Sequence, residues 1–364
     1  MYLIFFIFPL IIIIPLTLYF YFYFKRIIEY IFLKIDSLWK KILLMILSFL
    51  FVLPVFNLFG FWTVVVLHLF FISIIIDIIH WFFKDKYKYF EKVYQLGMIP
   101  ILCVLMILGY AYFNMQSVSS KEYTIYTKKN INHSYKIALI TDLHFGNTMN
   151  QEELQSYCHE ISQQNVDIVL LGGDIVDERS SQKEMQQAFE TLGKIKTKKG
   201  IYYVYGNHDR ASHSQNPPFS SQELAKEMKK QSIYILSDES VIIDEDFILF
   251  GREDKYRGTR KEAKELLNQE INQSAFLLML DHQPVDLKIN DDLGYDLQLS
   301  GHTHGGQMFP VGFISDWLGF GEMNYGYKQL KYMQVIVSSG IAGWGYPLRT
   351  GSHSEYVIVN IIKK

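Results

Sequence analysis

The sequence predicts a layered α/β domain with two mixed sheets, preceded by about four membrane-spanning helices. Three observations carry that expectation. Residues 1–113 are very apolar, with their charges confined to a few short segments, whereas the chain from Ser117 onward has an ordinary soluble composition. Beyond Tyr135, short apolar runs alternate with helix-like segments, the pattern of a strand-and-helix layered domain. The Asp, His and Asn residues then follow directly after the apolar runs. At 364 residues the chain exceeds the usual single domain, so two units are expected. A net charge of −2 lacks the basic footprint of a nucleic-acid binder. Cys103 and Cys158 are the only cysteines, which supports neither a disulfide framework nor a cysteine metal site.

The run from Met1 to Phe24 carries no charge and is followed by Lys25-Arg26. It is long enough for a span, which needs about 20 apolar residues. It lacks the basic start and small-residue cleavage site of a signal peptide. Ile42 to Ile76 is also free of formal charge. As one helix it would be about 50 Å long, against a hydrocarbon core of about 30 Å. Two passes turning near Pro54, Asn57 and Gly60 fit better, the second continuing towards Phe83. A fourth span is expected from Gln95 to Phe113. Lys25, Arg26, Lys34, Lys40 and Lys41 lie between the first two spans, and Lys84, Lys86, Lys88 and Lys92 between the last two. Basic loops stay cytoplasmic, which predicts that everything after span four faces outward. His68, Asp77 and His80 lie within or near spans and are read as locally satisfied groups rather than catalytic ones.

After a Ser- and Lys-rich connector the order is regular. Strands are expected at Tyr135–Ile140, Val166–Leu171, Gly200–Tyr205, two or three within Ser232–Phe250, Ala275–Leu280, Leu297–Leu299, Val335–Ser338 and Tyr356–Ile362. Helices are expected at Gln151–Gln163, Ser181–Lys194, Ser220–Lys230 and Lys261–Glu270. The later strands have shorter connections, which points to the second sheet.

Five apolar runs end in chemistry-bearing residues: Asp142 and His144; Asp174 and Asp177; Asn207, His208 and Asp209; His282; His302 and His304. Ligand sites favour the carboxyl ends of strands in α/β sheets. If these strands share a sheet, the side chains meet at one edge. Asp-x-His and His-x-His would place both side chains on one face of an extended segment. Imidazole and carboxylate together suit Mn, Fe or Zn, and two ions about 3.5–4 Å apart suit a phosphate ester.

Asp142-x-His144, Gly173-Asp174-x-x-Asp177, Gly206-Asn207-His208-Asp209, the lone His282 and Gly301-His302-x-His304 together resemble the calcineurin-like metallophosphoesterases over about residues 135–362. The ending Gly301-His302-Thr303-His304-Gly305-Gly306-Gln307 resembles their bacterial membrane-associated branch, which includes enzymes acting on phosphodiester or pyrophosphate bonds of envelope precursors. The resemblance implies a two-sheet αββα sandwich and a metal-dependent phosphoric ester hydrolase with two divalent metal ions (Mn, Fe or Zn). It implies Asp142, His144 and His304 on one metal, Asn207, His282 and His302 on the other, and Asp174 bridging. It places His208 at the leaving oxygen, Asp209 orienting His208, and Asp177 supporting its loop. The expected organisation is a membrane anchor over 1–116, a connector over 117–134 and a catalytic domain over 135–364.

Other residues are weaker candidates. His133, His159, His213 and His353 match no motif and are expected to be solvated. Arg252 is read as a surface residue near a strand end, and Arg349 as a residue of the substrate cleft. Phe309, Phe313, Trp317, Leu318 and Phe320 follow the last motif within Met308–Met323. They either pack on a sheet, the commoner fate, or meet a bilayer or an acyl chain. The expected function is hydrolysis of a phosphoester or pyrophosphate bond of a phosphorylated, lipid-linked or cell-envelope substrate at the membrane. An outward-facing nucleotide or protein phosphatase competes with it. A non-catalytic, metal-stabilised envelope binding module also competes, but it would not need the complete ligand set together with His208.

Overall fold

The computed structural model describes residues 2–57, 60–83, 88–210, 214, 216–267 and 271–364, excluding the side chains of residues 2–10 and 88–89. Lys84, Lys86, the Lys88 side chain, His213 and the end of the helix expected at 261–270 lie outside the described residues. The chain divides into two compact units, Met1–Tyr110 and Ala111–Lys364.

The first unit holds helices α1 (Tyr2–Ile31), α2 (Leu38–Val52), α3 (Phe61–Phe83), α4 (Lys88–Gln95) and most of α5 (Met98–Gln116). Four stretches are long and apolar enough to cross a membrane: Ile11–Ile31, Leu38–Phe56, Phe61–Phe83 and Met98–Gln116. The second and third form the expected hairpin. Pro54 opens a 3-10 turn, Asn57 N donates to Pro54 O at 3.0 Å and Gly60 N to Asn57 O at 2.8 Å. Helix α4 occupies part of what is expected as a plain basic loop. Phe20, Val52, Val55 and Val66 are buried in the unit's apolar core. Among the described residues, the ionisable groups within or near the spans have partners. Asp77 accepts from Arg26 at 3.0 Å and from the Tyr19 hydroxyl at 2.6 Å. His80 Nε2 lies 2.5 Å from Glu91. His68 Nδ1 is 2.7 Å from Val64 O of its own helix, not a neighbouring one.

The second unit continues with β1 (Val118–Thr127), β2 (Tyr135–Ile140), α6 (Gln151–Gln163), β3 (Ile168–Leu171), α7 (Gln182–Leu192), β4 (Ile201–Tyr203) and α8 (Ser221–Lys230). Then come β5 (Ile233–Ile235), β6 (Glu239–Asp244), β7 (Phe247–Gly251), α9 (Ala263–Leu266), β8 (Phe276–Leu280), α10 (Leu287–Leu293) and β9 (Leu297–Ser300). The chain closes with α11 (Val311–Leu318), β10 (Gly326–Gln329), β11 (Gln334–Val337) and β12 (Ser354–Lys363). Asn150, Ser181 and Ser220 each begin a helix with a Glu three residues on, and each pair closes a reciprocal capping box. Such boxes satisfy backbone donors that a helix start leaves unpaired.

Two six-stranded sheets result, ordered β1-β12-β2-β3-β4-β5 and β10-β11-β9-β8-β7-β6. In the first, β2 to β5 run parallel and β12 pairs antiparallel with β2. In the second, β7, β8, β9 and β11 are parallel, and β6 and β10 close the edges antiparallel. The segment expected as a connector contains β1, which pairs with β12 from Val118↔Ser354 to Thr127↔Lys363. Its charged, alternating sequence hides a strand whose partner is more than 200 residues away in the chain. The helix expected at Lys261–Glu270 reduces to α9 within the described residues, and α10, α11 and β10 lie where no element is expected.

Strand alternation builds the layers. Ile137 and Leu139 of β2 and Leu170 of β3 face the second sheet, meeting a core with Phe247, Leu278 and Leu299. Ala138, Ile140, Val169 and Leu171 face the other way, with Leu154, Met185, Phe189 and Leu224 from α6, α7 and α8. Phe250, Leu277 and Val335 face α9 and α10. The order is therefore helix, sheet, sheet, helix. Strands buried on both sides read as continuous apolar runs, which is why they stand out in the sequence. Leu170→Ala leaves a void between the sheets and is expected to cost about 2–5 kcal/mol. A lowered thermal unfolding midpoint of the solubilised full chain checks this.

Candidate metal centre

The loops after β2, β3 and β4 of one sheet and after β8 and β9 of the other meet at the carboxyl edges of their strands. Two groups of ligand atoms form there, each with all atoms within 4.8 Å of one another: Asp142, His144 and His304, and Asp174, His282 and His302. Six of the seven residues expected as metal ligands are thus gathered. The seventh, Asn207, places Oδ1 3.2 Å from His282 Nε2. The residues meet from two sheets, not from one.

They are not presented by strand alternation. Asp142, His144, Asp174, His302 and His304 all lie past the strand ends with φ of 55°, 42°, 53°, 73° and 51°. This left-handed region is sparsely used by non-glycine residues and concentrates at functional sites. The two histidines of His-x-His accordingly serve different groups. Hydrogen bonds hold the bends: Asp142 N donates to Gly173 O and His144 N to Asp174 O, both at 3.0 Å. His302 N donates to the Asp142 carboxylate at 3.0 and 3.1 Å. A Cβ on Gly206 would collide with the Asp174 carboxylate, and one on Gly301 with that of Asp142. Both glycines therefore permit a close approach that no other residue allows.

The donor set fits divalent cations. His282 Nδ1 donates to Gly172 O at 2.8 Å, leaving Nε2 directed at Asp174 Oδ2, 3.1 Å away. An imidazole fixed by a carbonyl on one nitrogen is the usual arrangement of a metal-ligating histidine. His144 Nε2 is buried with no hydrogen-bond partner, 3.8 Å from Asp174 Oδ2. A buried nitrogen lone pair facing a carboxylate across that gap suits a shared cation. Asp177 lies 3.3 Å from His144 Nδ1 and also accepts from Arg179 N at 2.7 Å. It supports its own loop and lies beside a metal-site imidazole.

Asp209 and His208 part company. The buried Asp209 carboxylate accepts from the backbone N–H groups of Asp174, Ile175, Val176 and Gly206 at 2.7, 2.8, 3.2 and 2.7 Å. It ties the β3 loop to the β4 loop. The residue at His208 Nδ1 is Glu178, at 2.9 Å, while His208 N donates to Asp174 Oδ1 at 2.8 Å. Burial works against a charged His208, but the Glu178 hydrogen bond and the Asp174 charge outweigh it and raise the imidazole to about 9. Glu178 is absent from the sequence expectations. Its one signal is adjacency to Asp177, and only the loop's path brings it to His208.

Arg349 is not a cleft residue. It is fully buried, and its guanidinium donates to Ser339 O at 2.8 Å, Ala342 O at 2.7 Å, Ser352 Oγ at 3.0 Å and His304 O at 3.3 Å. Arg252 is also buried, 3.6 Å from Asp286 and 3.7 Å from Asp238. His353 is exposed as expected, yet it pairs with Asn114. A cleft of about 350 Å³ opens beside His302, lined by Tyr256, Pro284, Val285, Val311, Phe320 and Met323 among others. The aromatic residues that follow the last motif do not pack on a sheet: Phe309, Phe313, Trp317 and Phe320 are exposed.

Protons compete with cations for these nitrogens. Burial holds His302 down to about 4 and His304 well below its ordinary value. Burial also opposes charge on His282, but Asp174 overrides it and raises that imidazole to about 10. A cation taken up by His282 must displace that proton below pH 10. Apparent metal affinity is therefore expected to rise with pH, with about one proton released per ion at this position near neutrality. Calorimetric manganese titrations in buffers of different ionisation enthalpy check it, and a pH-independent affinity contradicts it.

The calcineurin-like phosphoesterase family matches residues 135–306. An uncharacterized metallophosphoesterase of Helicobacter pylori is 31% identical over 268 residues, covering 71% of this chain and 69% of that protein. One of Aquifex aeolicus is 29% identical over 270 residues, covering 71% of this chain and 97% of its own length. A transmembrane protein with metallophosphoesterase domain of Danio rerio is 29% identical over 243 residues, 63% of this chain and 53% of that protein. The family match runs from the first residue of β2 to the loop that carries His304, so it spans both ligand groups. The chain belongs to the calcineurin-like phosphoesterases and is a membrane-associated, metal-dependent hydrolase.

Proposed function

We propose that this enzyme, of the bacterial membrane-associated branch, hydrolyses a phosphoester or pyrophosphate bond of a lipid-linked or cell-envelope molecule on the outer face of the membrane. The observation that carries the substrate class is the partly apolar cleft beside His302, lined by Val285, Val311, Phe320 and Met323. A phosphate at the two ligand groups would leave an acyl or isoprenoid tail within reach of that cleft. The outward orientation is supported by the basic residues of the first and third inter-span loops, which favour the cytoplasmic side.

Two divalent cations, when bound, supply Lewis-acid polarisation of the phosphoryl oxygens and an activated water. In this reading Asp142, His144 and His304 would hold one and Asn207, His282 and His302 the other, and Asp174 would serve both. Glu178 occupies His208 Nδ1, so Nε2 is the atom assigned to the leaving oxygen. Raised to about 9, the imidazole carries a proton at neutral pH, which offsets charge in the transition state and can be donated. Asp209 acts on the backbone: by binding four N–H groups it fixes the loops carrying Asp174 and Asn207.

Loss of the acid or of the central carboxylate should dominate the kinetics. His208→Ala is expected to lower turnover of an aryl phosphodiester by about 10²–10⁴-fold, and Asp174→Ala by at least as much. Wild-type rates in both variants would sink the assignment. Glu178→Gln keeps the shape but removes the charge on Nδ1, for an expected loss of about tenfold to a hundredfold. The double variant Glu178→Gln/His208→Ala should be no slower than His208→Ala alone, because the two act as one unit. An independent loss in the double variant speaks for a merely structural Glu178. A topology reporter fused after Gln116 should be active only in its extracytoplasmic form, and cytoplasmic activity overturns the orientation.

A further inference from the structure

We infer that α11 is a membrane-docking element. The aromatic edge formed by Phe309, Phe313 and Trp317 enters the lipid interface of the bilayer that the chain spans, and so holds the mouth of the metal-site cleft against that surface. Its consequence for the substrate rests on the lipid-linked reading above; the docking stands on separate observations.

The first is an apolar face with nothing on it. Phe309, Phe313 and Trp317 are 65, 68 and 76% exposed, with Ile314 and Leu318 half-exposed beside them. Phe313 and Trp317 are four apart and share one side of the helix. Val311 and Ser315, likewise four apart, line the cleft. The helix is therefore two-sided: its inner edge borders the cleft and its outer edge is a row of large rings. A helix of a water-facing domain carries polar residues on that outer edge. Here its only charge is Asp316.

The second is where α11 is rooted. Phe309 N donates to Thr350 Oγ1 at 2.9 Å, and Gln307 O accepts from Thr350 N at 2.8 Å and Gly351 N at 2.9 Å. The same segment grips the end of the fourth apolar helix. Arg349 N donates to Ala111 O at 3.0 Å, and Asn114 Nδ2 donates to Arg349 O at 2.9 Å and Ser352 O at 2.7 Å. Residues 349–352 thus join the root of α11 to residues 111–114 of α5, a helix of spanning length. The last turns of such a helix lie in the interfacial layer, which is about 5–8 Å thick on each side of the hydrocarbon. Phe113, on those turns, is 72% exposed.

The third is composition. Trp favours the water–bilayer interface, and Phe and Leu form the inserted face of interfacial helices. Without Lys or Arg on α11, attachment comes from inserted apolar area rather than from attraction to anionic headgroups. It should therefore be insensitive to salt.

The test uses the full chain in nanodiscs of phosphatidylethanolamine and phosphatidylglycerol. A bimane fluorophore is attached, in a Cys103→Ser/Cys158→Ser background, at Phe313→Cys and separately at Tyr234→Cys, an exposed position on β5. Docking predicts that the Phe313→Cys label is quenched by nitroxide-bearing lipid and shielded from aqueous iodide, at low and high salt alike. The Tyr234→Cys label should show the opposite. A Phe313→Cys label quenched by iodide as freely as the control overturns the proposal. So does a label shielded from both quenchers that cross-links between copies, since that assigns the face to a protein contact. Activity supplies a second readout. Phe313→Ser/Trp317→Ser should hydrolyse a soluble aryl phosphodiester at the wild-type rate. It should hydrolyse a phosphodiester of a vesicle-embedded amphiphile at least about tenfold more slowly, from the lost interfacial area. Lipid quenching at Phe313→Cys in an enzyme without activity on any amphiphile would support docking while removing the lipid-linked substrate.

Discussion

Buried negative charge is the constraint around which the metal-bearing unit is arranged. Asp142, Asp174, Asp177 and Asp209 are all essentially removed from solvent, and an uncompensated buried carboxylate costs several kcal/mol. Each is answered differently. Asp209 receives four backbone N–H groups, Asp177 its own loop and His144, Asp142 the N–H of His302, and Asp174 the N–H of His208 together with His282. To aim those N–H groups inward the backbone bends into the left-handed region at five ligand positions. Such bends persist only where surrounding structure over-determines them, and the carboxylates provide that. Ligand geometry and loop geometry are one arrangement.

The two sheets supply the platform. Asp142, His144 and Asp174 follow strands of the first sheet, and His282, His302 and His304 follow strands of the second. Each ligand group draws on both, so the centre exists only while the sheets stay stacked. The apolar layer that includes Leu139, Leu170, Leu278 and Leu299 is therefore part of the metal site at one remove. Cations bridging the two edges would in turn stabilise the stacked state, since whatever binds only the folded form adds to its stability.

Arg349 joins this edge to the end of the fourth apolar helix. Burial lowers its guanidinium to about 10, leaving it cationic at neutral pH among backbone carbonyls and the Ser352 hydroxyl. One of those carbonyls belongs to His304, and Ser352 Oγ donates to it as well at 2.9 Å. Arg349 O and Ser352 O in turn accept from Asn114. A metal-site histidine and the exit of a spanning helix thus share one hydrogen-bonded hub.

The chain by itself determined the strongly patterned features. Apolar runs mark spans and doubly buried strands because lipid and a two-faced core impose the same local demand at every position. Asn150, Ser181 and Ser220 announce helix starts because a cap acts over three residues. The ligand types at strand ends were legible for the same reason: Asp, His and Asn after an apolar run are chemistry, whatever the backbone then does. Tertiary structure decided what depends on distant partners. Strand β1 needed β12, Glu178 needed the loop that carries it to His208, and Arg349 needed acceptors spread from His304 to His353. Strand alternation was the wrong guide to Asp142-x-His144 and His302-x-His304, because buried carboxylates bent those segments out of the extended form. Sequence records the demands a residue meets from its neighbours in the chain; where a side chain points is settled by which groups, far along the chain, must share a buried charge with it.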